Sequence, residues 1–242
     1  WETLMTLDLF PETADPHANI LPYDGIVNDY GIIFTLEEAD VCLHTLLRDI
    51  PWRHDQVRLY GKTITTARQI AWYGEAGAAY TYSGITREPL PWTPFLRQLK
   101  ERVEQHLQTV SPTHFNACLL NRYRHGGEGM AWHSDSEAEL GANTVIASLS
   151  FGATRKFAFR HNKTREKREI LLHHGQLIVM RGSTQHHWQH AVMKSSRINE
   201  ERISLTFRTY VGKSSERQNI ADSNKNASHR HSCAGENPES KV

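Results

Sequence analysis

Short apolar segments fill the second half of the chain, and their spacing is the sequence feature that most constrains the fold. From Phe115 onward, seven β-type runs alternate with glycine-containing or polar turns. They cover residues 116–124, 144–151, 156–160, 169–173, 176–181, 188–192 and 202–211. Strands of this length and spacing are typical of a sandwich or barrel and not of a parallel sheet crossed by helices. We therefore predict a mainly β core.

Two helices are predicted before this β region, which makes the fold mainly β with flanking helices, of the α+β class. Thr35 and Glu38 form a capping-box pattern, and apolar residues at helical spacing follow as far as Pro51. Thr93 and Pro94 have the residue types that an N-cap and a first helical position prefer.

The composition excludes several classes of protein. The formal net charge is +1, and no apolar run approaches the roughly 18 residues that a membrane helix needs. Residues 1–10 show no secretory signal, and the three cysteines are too scattered for a disulfide framework. Residues 213–242 are rich in Ser, Asn, Lys and Glu, so we predict a disordered tail. We expect a cytoplasmic monomer without a membrane partner, associated with the nucleoid if the cell is bacterial.

The most informative pattern among the 15 histidines is a His-x-Asp step followed by a later histidine. His133 and Asp135 follow the first core strand, and His190 lies in a late strand. Two imidazoles and one carboxylate on one face of an iron ion leave positions open for a cosubstrate and O₂. His186 and His187 are alternative ligands, and on a regular strand His186 shares a face with His190. Alternation therefore leaves the choice between His186 and His190 open.

The last predicted strand places four polar residues on one face, namely Arg202, Ser204, Thr206 and Arg208. Its other face carries Ile203, Leu205 and Phe207. The polar face is either solvated or a binding site for a dicarboxylate, because guanidinium groups match planar carboxylates.

Aromatic and basic residues alternate in the stretch between the two helices, residues 52–92. The aromatic residues are Tyr60, Trp72, Tyr73, Tyr80, Tyr82 and Trp92, and the basic ones include Arg58, Lys62, Arg68 and Arg87. Such a stretch is either the edge of a core or a surface that stacks on bases and neutralises phosphates. We interpret Trp72 and Trp92 as core residues. Residues 155–168 are also strongly basic and form either a solvated hairpin or a phosphate contact.

The ordered combination of these motifs resembles the AlkB family of Fe(II)- and 2-oxoglutarate-dependent nucleic-acid dioxygenases. The matching elements are Asn121-Arg122-Tyr123, His133-x-Asp135, His190 and Arg202-x-x-x-Thr206-x-Arg208. The Tyr80-Thr81-Tyr82-Ser83-Gly84 and Tyr60-Gly61-Lys62 segments resemble members that act on duplex DNA. The resemblance implies a double-stranded β-helix (jelly-roll) core at residues 94–212. A nucleotide-recognition lid at 52–93 and an N-terminal extension with one helix at 1–51 would precede it.

The resemblance also implies a role for each matching residue. The iron ligands, and thus the catalytic residues, would be His133, Asp135 and His190. The cosubstrate 2-oxoglutarate would be held by Asn121, Tyr123, Arg202, Ser204, Thr206 and Arg208. The nucleic-acid substrate would be bound by Tyr60, Arg68, Tyr80, Tyr82, Ser83 and Glu137.

Within the substrate set, Tyr82 and His133 would sandwich the damaged base, and Tyr60 would fill the gap left when that base is flipped out. One position departs from the family pattern, since Ser204 stands where the family usually has Asn. A serine hydroxyl is shorter and has one donor where an amide has two, so the affinity for 2-oxoglutarate is open there.

The implied activity is oxidative demethylation of 1-methyladenine and 3-methylcytosine in DNA, with double-stranded DNA as the favoured partner. Fe(II), 2-oxoglutarate and O₂ would be used, and formaldehyde, succinate and CO₂ released. Alternatives are single-stranded DNA or RNA as substrate for the same chemistry, or a non-catalytic nucleic-acid-binding jelly-roll module.

Overall fold

The structure, a computed structural model, describes residues 14–59, 62–78, 80–82 and 85–210. The strands are β1 (Ile26–Ile32), β2 (Arg53–Leu59), β3 (Lys62–Gly74), β4 (Tyr80–Tyr82), β5 (Ile85–Arg87), β6 (Ala117–Tyr123), β7 (Met130–His133), β8 (Ile146–Gly152), β9 (Arg155–His161), β10 (Lys167–Leu172), β11 (Gln176–Arg181), β12 (Trp188–Val192) and β13 (Arg202–Arg208). The helices are α1 (Leu36–Asp49), α2 (Pro94–Leu107) and α3 (Thr184–His187), with a short 3₁₀ turn at Ala138–Leu140.

Both predicted helix starts are confirmed by their capping bonds. Thr35 Oγ1 accepts a hydrogen bond from the Glu38 amide, and the Glu38 carboxylate accepts one from the Thr35 amide. At α2, Thr93 Oγ1 accepts from the amide of Leu96, with Pro94 in the first turn. These bonds satisfy amides that the helices themselves leave unpaired.

The strands form two larger antiparallel sheets, as a jelly-roll core requires. One has seven strands in the order β1-β11-β8-β13-β6-β3-β2, and the other has four in the order β10-β9-β12-β7. The seven predicted strands are all present, with bounds that differ by at most three residues. The prediction of a mainly β fold with flanking helices is therefore confirmed.

The seven-stranded sheet has a different apolar environment on each face. Leu120, Leu149 and Leu205 belong to a core that includes α1 and α2 residues such as Leu46 and Leu96. The opposite face supplies Tyr123, Ile146 and Met180 to a second core, to which the four-stranded sheet adds Phe159 and Trp188. Strand alternation therefore directs one set of β13 side chains at the helices and the other at the space between the sheets.

The apolar pattern of the sequence does not predict strands β1 and β7. β1 carries the buried polar residue Asn28 and a bulge between Asp29 and Gly31, where Gly31 has a φ of +70°. β7 is only four residues long and is recognised by its pairing with β12. Neither strand shows the regular alternation on which sequence analysis depends.

The segment predicted as a lid contributes directly to the main sheet. β3 pairs with β6 from Gln69 to Gly74, and β2 pairs with β3 at the sheet edge. β1 likewise pairs with β11, so the sheet includes strands from both sides of the predicted boundaries at residues 51 and 93. Trp72 and Trp92 are buried, which confirms their assignment to the core. No helix in the described part of the chain is long and apolar enough to span a membrane.

Candidate active site

A cavity of about 60 Å³ is lined by residues of both larger sheets. Its polar lining consists of Arg68, Asn121, Tyr123, His133, Asp135, Glu137, Ser148, His190, Arg202, Ser204, Thr206 and Arg208. Its apolar lining consists of Leu119, Met130, Phe157, Met180 and Val192. The cavity thus brings together all the predicted metal-ligating and cosubstrate residues, although they come from separate parts of the sequence.

The two histidines and the aspartate of the predicted triad converge at one end of this cavity. The ligand atoms of His133, Asp135 and His190 all lie within 4.8 Å of one another. The Nε2 atom of His133 is 3.8 Å from Asp135 Oδ1, and the ring centroids of His133 and His190 are 4.3 Å apart. His190 is 4% exposed, and its Nδ1 atom has no hydrogen-bond partner in the described structure.

Pairing between β7 and β12 explains why these histidines meet. His133 and His190 are direct partners in the antiparallel ladder, so their side chains share a face. Residues 184–187 form a helical turn and not a strand, so alternation does not extend back from His190 to His186. The structure therefore brings His190, and not His186, together with His133 and Asp135.

The carboxylate of Asp135 is held by two contacts from other elements. Arg208 Nη2 lies 2.9 Å from Asp135 Oδ2, and both side chains are buried. The Asp135 backbone amide donates a 2.9 Å hydrogen bond to the side-chain oxygen of Gln185. Asp135 is thus fixed both at its backbone and at its carboxylate.

Burial and the local charges set the protonation states of the triad. Burial raises the pKa of Asp135, but Arg208 and the two histidines outweigh it, and the net pKa lies below 3.8. Burial lowers the pKa of His190 to about 3, and it also lowers the pKa of His133. At neutral pH the cluster therefore consists of one carboxylate and two neutral imidazoles, which is the form that binds a metal ion.

Arg202 is a buried cation at another part of the cavity wall. Its Nη2 atom donates to Ser150 Oγ at 3.0 Å, whereas Nε and Nη1 have no hydrogen-bond partner in the described structure. The guanidinium carbon lies 5.4 Å from the centroid of the Tyr123 ring. Burial lowers the pKa of Arg202 to about 10, so it remains charged at neutral pH. A buried cation with unpartnered N–H groups is suited to bind an anion.

Asn121 is oriented by a buried ion pair. Arg68 Nε donates to Asn121 Oδ1 at 2.9 Å, and Arg68 Nη2 lies 2.9 Å from Asp55 Oδ2. Because its oxygen is engaged, the group that Asn121 can offer to a carboxylate is its NH₂ group. Arg68, which the sequence analysis assigns to the substrate, lies beside Asn121 in this structure.

Ser204 lies between two polar neighbours in the sheet. It is opposite Asn121 on β6 and opposite Ser150 on β8, and it is 5% exposed. Ser204 and Thr206 both face the cavity, as the alternation predicts. The serine is therefore in position to contact a bound molecule, but with a shorter reach than asparagine.

The predicted substrate residues are only partly described. Glu137 lines the cavity with a buried Oε2 atom that has no hydrogen-bond partner in the described structure, and its Oε1 is 3.9 Å from Arg208 Nη1. Burial raises the pKa of Glu137. Tyr80 and Tyr82 lie on β4, which pairs with β5 in a small hairpin. Tyr60 and Ser83 lie outside the described residues.

Comparison with known proteins gives a consistent result. The sequence matches the family model of the 2OG-Fe(II) oxygenase superfamily over residues 30–208. It is 37% identical over 208 residues to mouse (Mus musculus) DNA oxidative demethylase ALKBH2, with 81% of this chain and 85% of that protein covered. The chain belongs to the AlkB family of that superfamily.

Other relatives match different shares of their own length. The chain is 43% identical over 202 residues to human alpha-ketoglutarate-dependent dioxygenase alkB homolog 3, which covers 79% of this chain and 66% of that protein. The chain thus spans slightly less than two thirds of that relative. The solved structure of OsALKBH1 matches with a TM-score of 0.54 at 14% identity, covering 78% of this chain and 99% of that one, which supports the fold.

The residues present fit the Fe(II) and 2-oxoglutarate that membership of the AlkB family implies. The unpartnered Nδ1 of His190 and the low pKa of Asp135 suit a metal ion, and the unpartnered N–H groups of Arg202 suit a carboxylate. His133, Asp135 and His190 are therefore the residues that can hold the iron. Arg202 is the residue that can bind a carboxylate of 2-oxoglutarate.

Several residues of this site are absent from the sequence prediction. They are Ser148 and Ser150 on β8, Gln185 on α3, and Asp55 on β2. The sequence could have indicated the two serines, because they alternate with apolar residues in a buried strand and so share one face of it. Gln185 and Asp55 carry no such signal, since their roles depend on contacts between distant segments.

Proposed function

We propose that this protein removes N-methyl groups from 1-methyladenine and 3-methylcytosine in DNA by oxidation, using Fe(II), 2-oxoglutarate and O₂. The products would be the repaired base, formaldehyde, succinate and CO₂. The observation that carries this proposal is that a triad of two histidines and one carboxylate, two of whose members are buried, shares a cavity with a buried, partly unpartnered arginine. The relative ALKBH2 is named a DNA oxidative demethylase, which supports the same chemistry.

In this proposal the triad holds the iron, and Arg208 keeps the Asp135 carboxylate of the triad negatively charged. His133 and His190 bind as neutral imidazoles, and Asp135 binds as a carboxylate whose negative charge is stabilised by Arg208. Bound there, Fe(II) with 2-oxoglutarate and O₂ supplies the oxidising power that hydroxylates an N-methyl group. The hydroxymethyl product then loses formaldehyde and leaves the free base nitrogen.

Cavity residues of the seven-stranded sheet bind 2-oxoglutarate. Arg202 pairs with one carboxylate of the dicarboxylate, because its Nε and Nη1 groups have no other partner in the described structure. The remaining proposed contacts are Asn121, Tyr123, Ser204, Thr206 and Arg208. Arg68 positions the Asn121 amide, through the hydrogen bond described above, so that its NH₂ group serves the cosubstrate.

The mouth of the cavity receives the flipped base. A methyl group on the Watson–Crick edge weakens pairing and lowers the cost of extrusion. Glu137 contacts the base edge, and its raised pKa, caused by burial, favours a form that can both donate and accept a hydrogen bond. Tyr80, Tyr82, Ser83 and Tyr60 contact the nucleotide or fill the gap that it leaves, as their resemblance to the family implies.

We propose double-stranded DNA as the preferred partner and a cytoplasmic monomer as the acting form. The basic residues of the β9–β10 hairpin provide a candidate phosphate contact. They include Lys163, Arg165, Lys167 and Arg168. The same chemistry on single-stranded DNA or RNA is the alternative, which parallel assays of the three substrates distinguish.

The test is a reconstituted reaction with a defined lesion. The protein is loaded anaerobically with Fe(II) and 2-oxoglutarate, mixed with a duplex that contains 1-methyladenine, and then exposed to O₂. Mass spectrometry of the DNA should show the loss of one methylene unit per lesion, with one formaldehyde released. His133→Ala should abolish both signals, whereas His186→Ala, on the neighbouring helical turn, should retain them. Tight binding of methylated DNA without formaldehyde would instead identify a non-catalytic binding module.

A further inference from the structure

A second group of metal-ligating side chains lies outside the active site, near the start of β12. Asp24, His161 and His187 each bring one ligand atom to within 4.8 Å of the others. We propose that these three residues, called the Asp24 cluster below, bind a Zn²⁺ ion. Two imidazoles and one carboxylate suit Zn²⁺, which completes a tetrahedral set with water when the protein supplies three ligands.

Three separate elements contribute to the Asp24 cluster. Asp24 lies in the loop before β1 and has a φ of 52°, a left-handed conformation that Asp tolerates better than most residues. His161 is the last residue of β9, and His187 is the last residue of α3. A cation bound here would cross-link segments that are far apart in the sequence.

These elements are already held in place by other contacts. Trp188 Nε1 donates a 3.0 Å hydrogen bond to the backbone oxygen of Tyr23, which fixes the loop that carries Asp24. The amide of Asn162 donates to the backbone oxygen of His187 at 2.8 Å, which fixes the β9–β10 hairpin against α3. The ligand positions are therefore set by the surrounding structure, as a preformed metal site requires.

His161 is the buried member of the Asp24 cluster and the one with an unmet polar atom. Its side chain is 3% exposed, and Nε2 has no hydrogen-bond partner in the described structure. The nearest carboxylate oxygen, Asp24 Oδ2, is 3.4 Å away. A buried nitrogen without a partner is uncommon, and a bound cation would satisfy it. Asp24 is 53% exposed, which gives the ion a route in from solvent and room for a water ligand.

Polar groups behind His161 can support ligation by Nε2 once the proton of the ring is on Nδ1. Nδ1 lies 3.0 Å from Thr164 Oγ1, which is 2.8 Å from the Tyr23 hydroxyl, and that hydroxyl donates to Glu166 Oε2 at 2.7 Å. With Nδ1 protonated, each group can donate to the next and the chain ends on a carboxylate. Metal-ligating histidines use such partners to fix the tautomer and increase the basicity of the ligating nitrogen.

The alternative state of the same residues is a direct contact between His161 and Asp24 without metal. The Thr164 amide donates a 3.1 Å hydrogen bond to His161 Nδ1, so Nδ1 is the acceptor in the metal-free protein. In that tautomer Nε2 carries the proton and faces the Asp24 carboxylate. Zn²⁺ binding selects the first tautomer, and the experiment below separates the two states.

The Asp24 cluster lies close to the active site along the same strand pair. In the β9–β12 ladder, Trp188 is opposite His161, and two residues further His190 is opposite Phe159. The cluster thus adjoins the strand that carries His190, and a Zn²⁺ ion there would anchor the start of that strand. We therefore assign the ion a structural role, separate from the iron of the proposed reaction.

Zinc stoichiometry of the full chain tests the proposal. All proteins carry His229→Ala and His231→Ala, so that histidines near the C-terminus do not compete for the ion. After equilibration with Zn²⁺ and gel filtration, atomic emission should find two zinc ions per chain in this background, one in the active-site triad and one in the Asp24 cluster. It should find one after Asp24→Asn or His187→Ala, and one after His133→Ala, which removes an active-site ligand. His186→Ala, the matched control on α3, should retain two.

Thermal unfolding provides the second readout. Zn²⁺ should raise the Tm of the His133→Ala protein, whose Asp24 cluster is intact, and this shift should disappear when Asp24→Asn is added. Unchanged zinc stoichiometry in both Asp24→Asn and His187→Ala would overturn the proposal. The proposal would also be overturned if Asp24→Asn lowered the Tm of the His133→Ala protein equally with and without Zn²⁺. That result would identify a direct contact between Asp24 and His161 as the stabilising interaction. His187 is partly exposed, so His187→Ala keeps the test decisive if Asp24→Asn does not fold.

Discussion

Arg208 Nη2 and Asp135 Oδ2 are 2.9 Å apart, and each side chain is about 95% buried. The pair links β13, the central strand of the seven-stranded sheet, to the loop that carries a proposed iron ligand. Without the arginine, burial would raise the pKa of Asp135 and disfavour the carboxylate. Arg208 thus stabilises the charge of Asp135 and also lines the cavity.

Replacing Arg208 should therefore destabilise the metal-free protein. Arg208→Gln leaves the buried Asp135 carboxylate without its cation, which typically costs about 3–5 kcal/mol. Urea unfolding in metal-free buffer measures this loss. The control is Arg48→Gln, which removes an exposed pair with Asp49 and should leave the unfolding free energy unchanged. Similar losses in both variants would contradict a special role for the buried pair.

Arg202 should behave in the opposite way, because it is buried without an anionic partner. Arg202→Met should leave the unfolding free energy of the metal-free protein unchanged or raise it, since an unpaired charge is removed from the interior. The same change should weaken 2-oxoglutarate binding by about 30-fold or more, as expected for loss of a charge-assisted pair worth about 2 kcal/mol. Calorimetric titration of 2-oxoglutarate into protein loaded with Mn²⁺ measures the affinity. Arg122→Met, which removes a partner of Glu201, should leave that affinity unchanged.

Ser204→Asn should strengthen the contact at the position where the chain departs from its family. The amide reaches further into the cavity and adds a donor, so the KM for 2-oxoglutarate should fall by about fivefold to tenfold, as for one added hydrogen bond worth about 1 kcal/mol. Steady-state succinate release measures the change. Ser204→Ala is the matched control and should raise the KM. A higher KM in both variants would indicate that the site is too crowded for the longer side chain.

The sequence predicted the β13 face correctly because strand alternation is a local property. Ile203, Leu205 and Phe207 join the core beneath the helices, and Arg202 and Arg208 line the cavity. The same periodicity could not choose between His190 and His186, since residues 184–187 form a helical turn and interrupt the alternation. Only the ladder between β7 and β12 places His190 beside His133.

Contacts between distant segments explain most of what sequence analysis missed. Gln185 reaches the Asp135 amide, and Asp55 reaches Arg68, but neither residue belongs to a recognisable motif. β1 was also missed, because its polar residue Asn28 is buried against Ala18 and Arg181 and not exposed. Such pairings depend on the complete fold, which local periodicity does not contain.

The pair between Glu38 and Arg102 should make stability fall at acid pH. Two hydrogen bonds from Arg102, at 3.1 and 3.0 Å, together with the Thr35 amide, lower the pKa of Glu38 from 4.5 to about 2. The unfolded chain binds this proton first, so the contribution is complete above about pH 4.5 and disappears as the pH falls towards 2. Glu38→Gln should therefore be less stable than the unmodified chain at pH 7 and equal to it near pH 2. Urea unfolding across this range measures the difference, with Glu37→Gln in the same helical turn as the control for charge.

Tyr60 is the residue that distinguishes duplex DNA from single-stranded substrates in the proposed function. If its ring fills the gap left by the flipped base, Tyr60→Ala should lower kcat/KM on a methylated duplex by at least about fivefold, which corresponds to the 1–3 kcal/mol of one base–aromatic stacking contact. A single strand has no opposite stack to support, so its kcat/KM should change by less than twofold. Formaldehyde release from matched single- and double-stranded oligonucleotides measures both values. Tyr60→Phe, which retains the ring, should restore the duplex activity. Equal losses on the two substrates would exclude gap filling and place Tyr60 in a contact common to both.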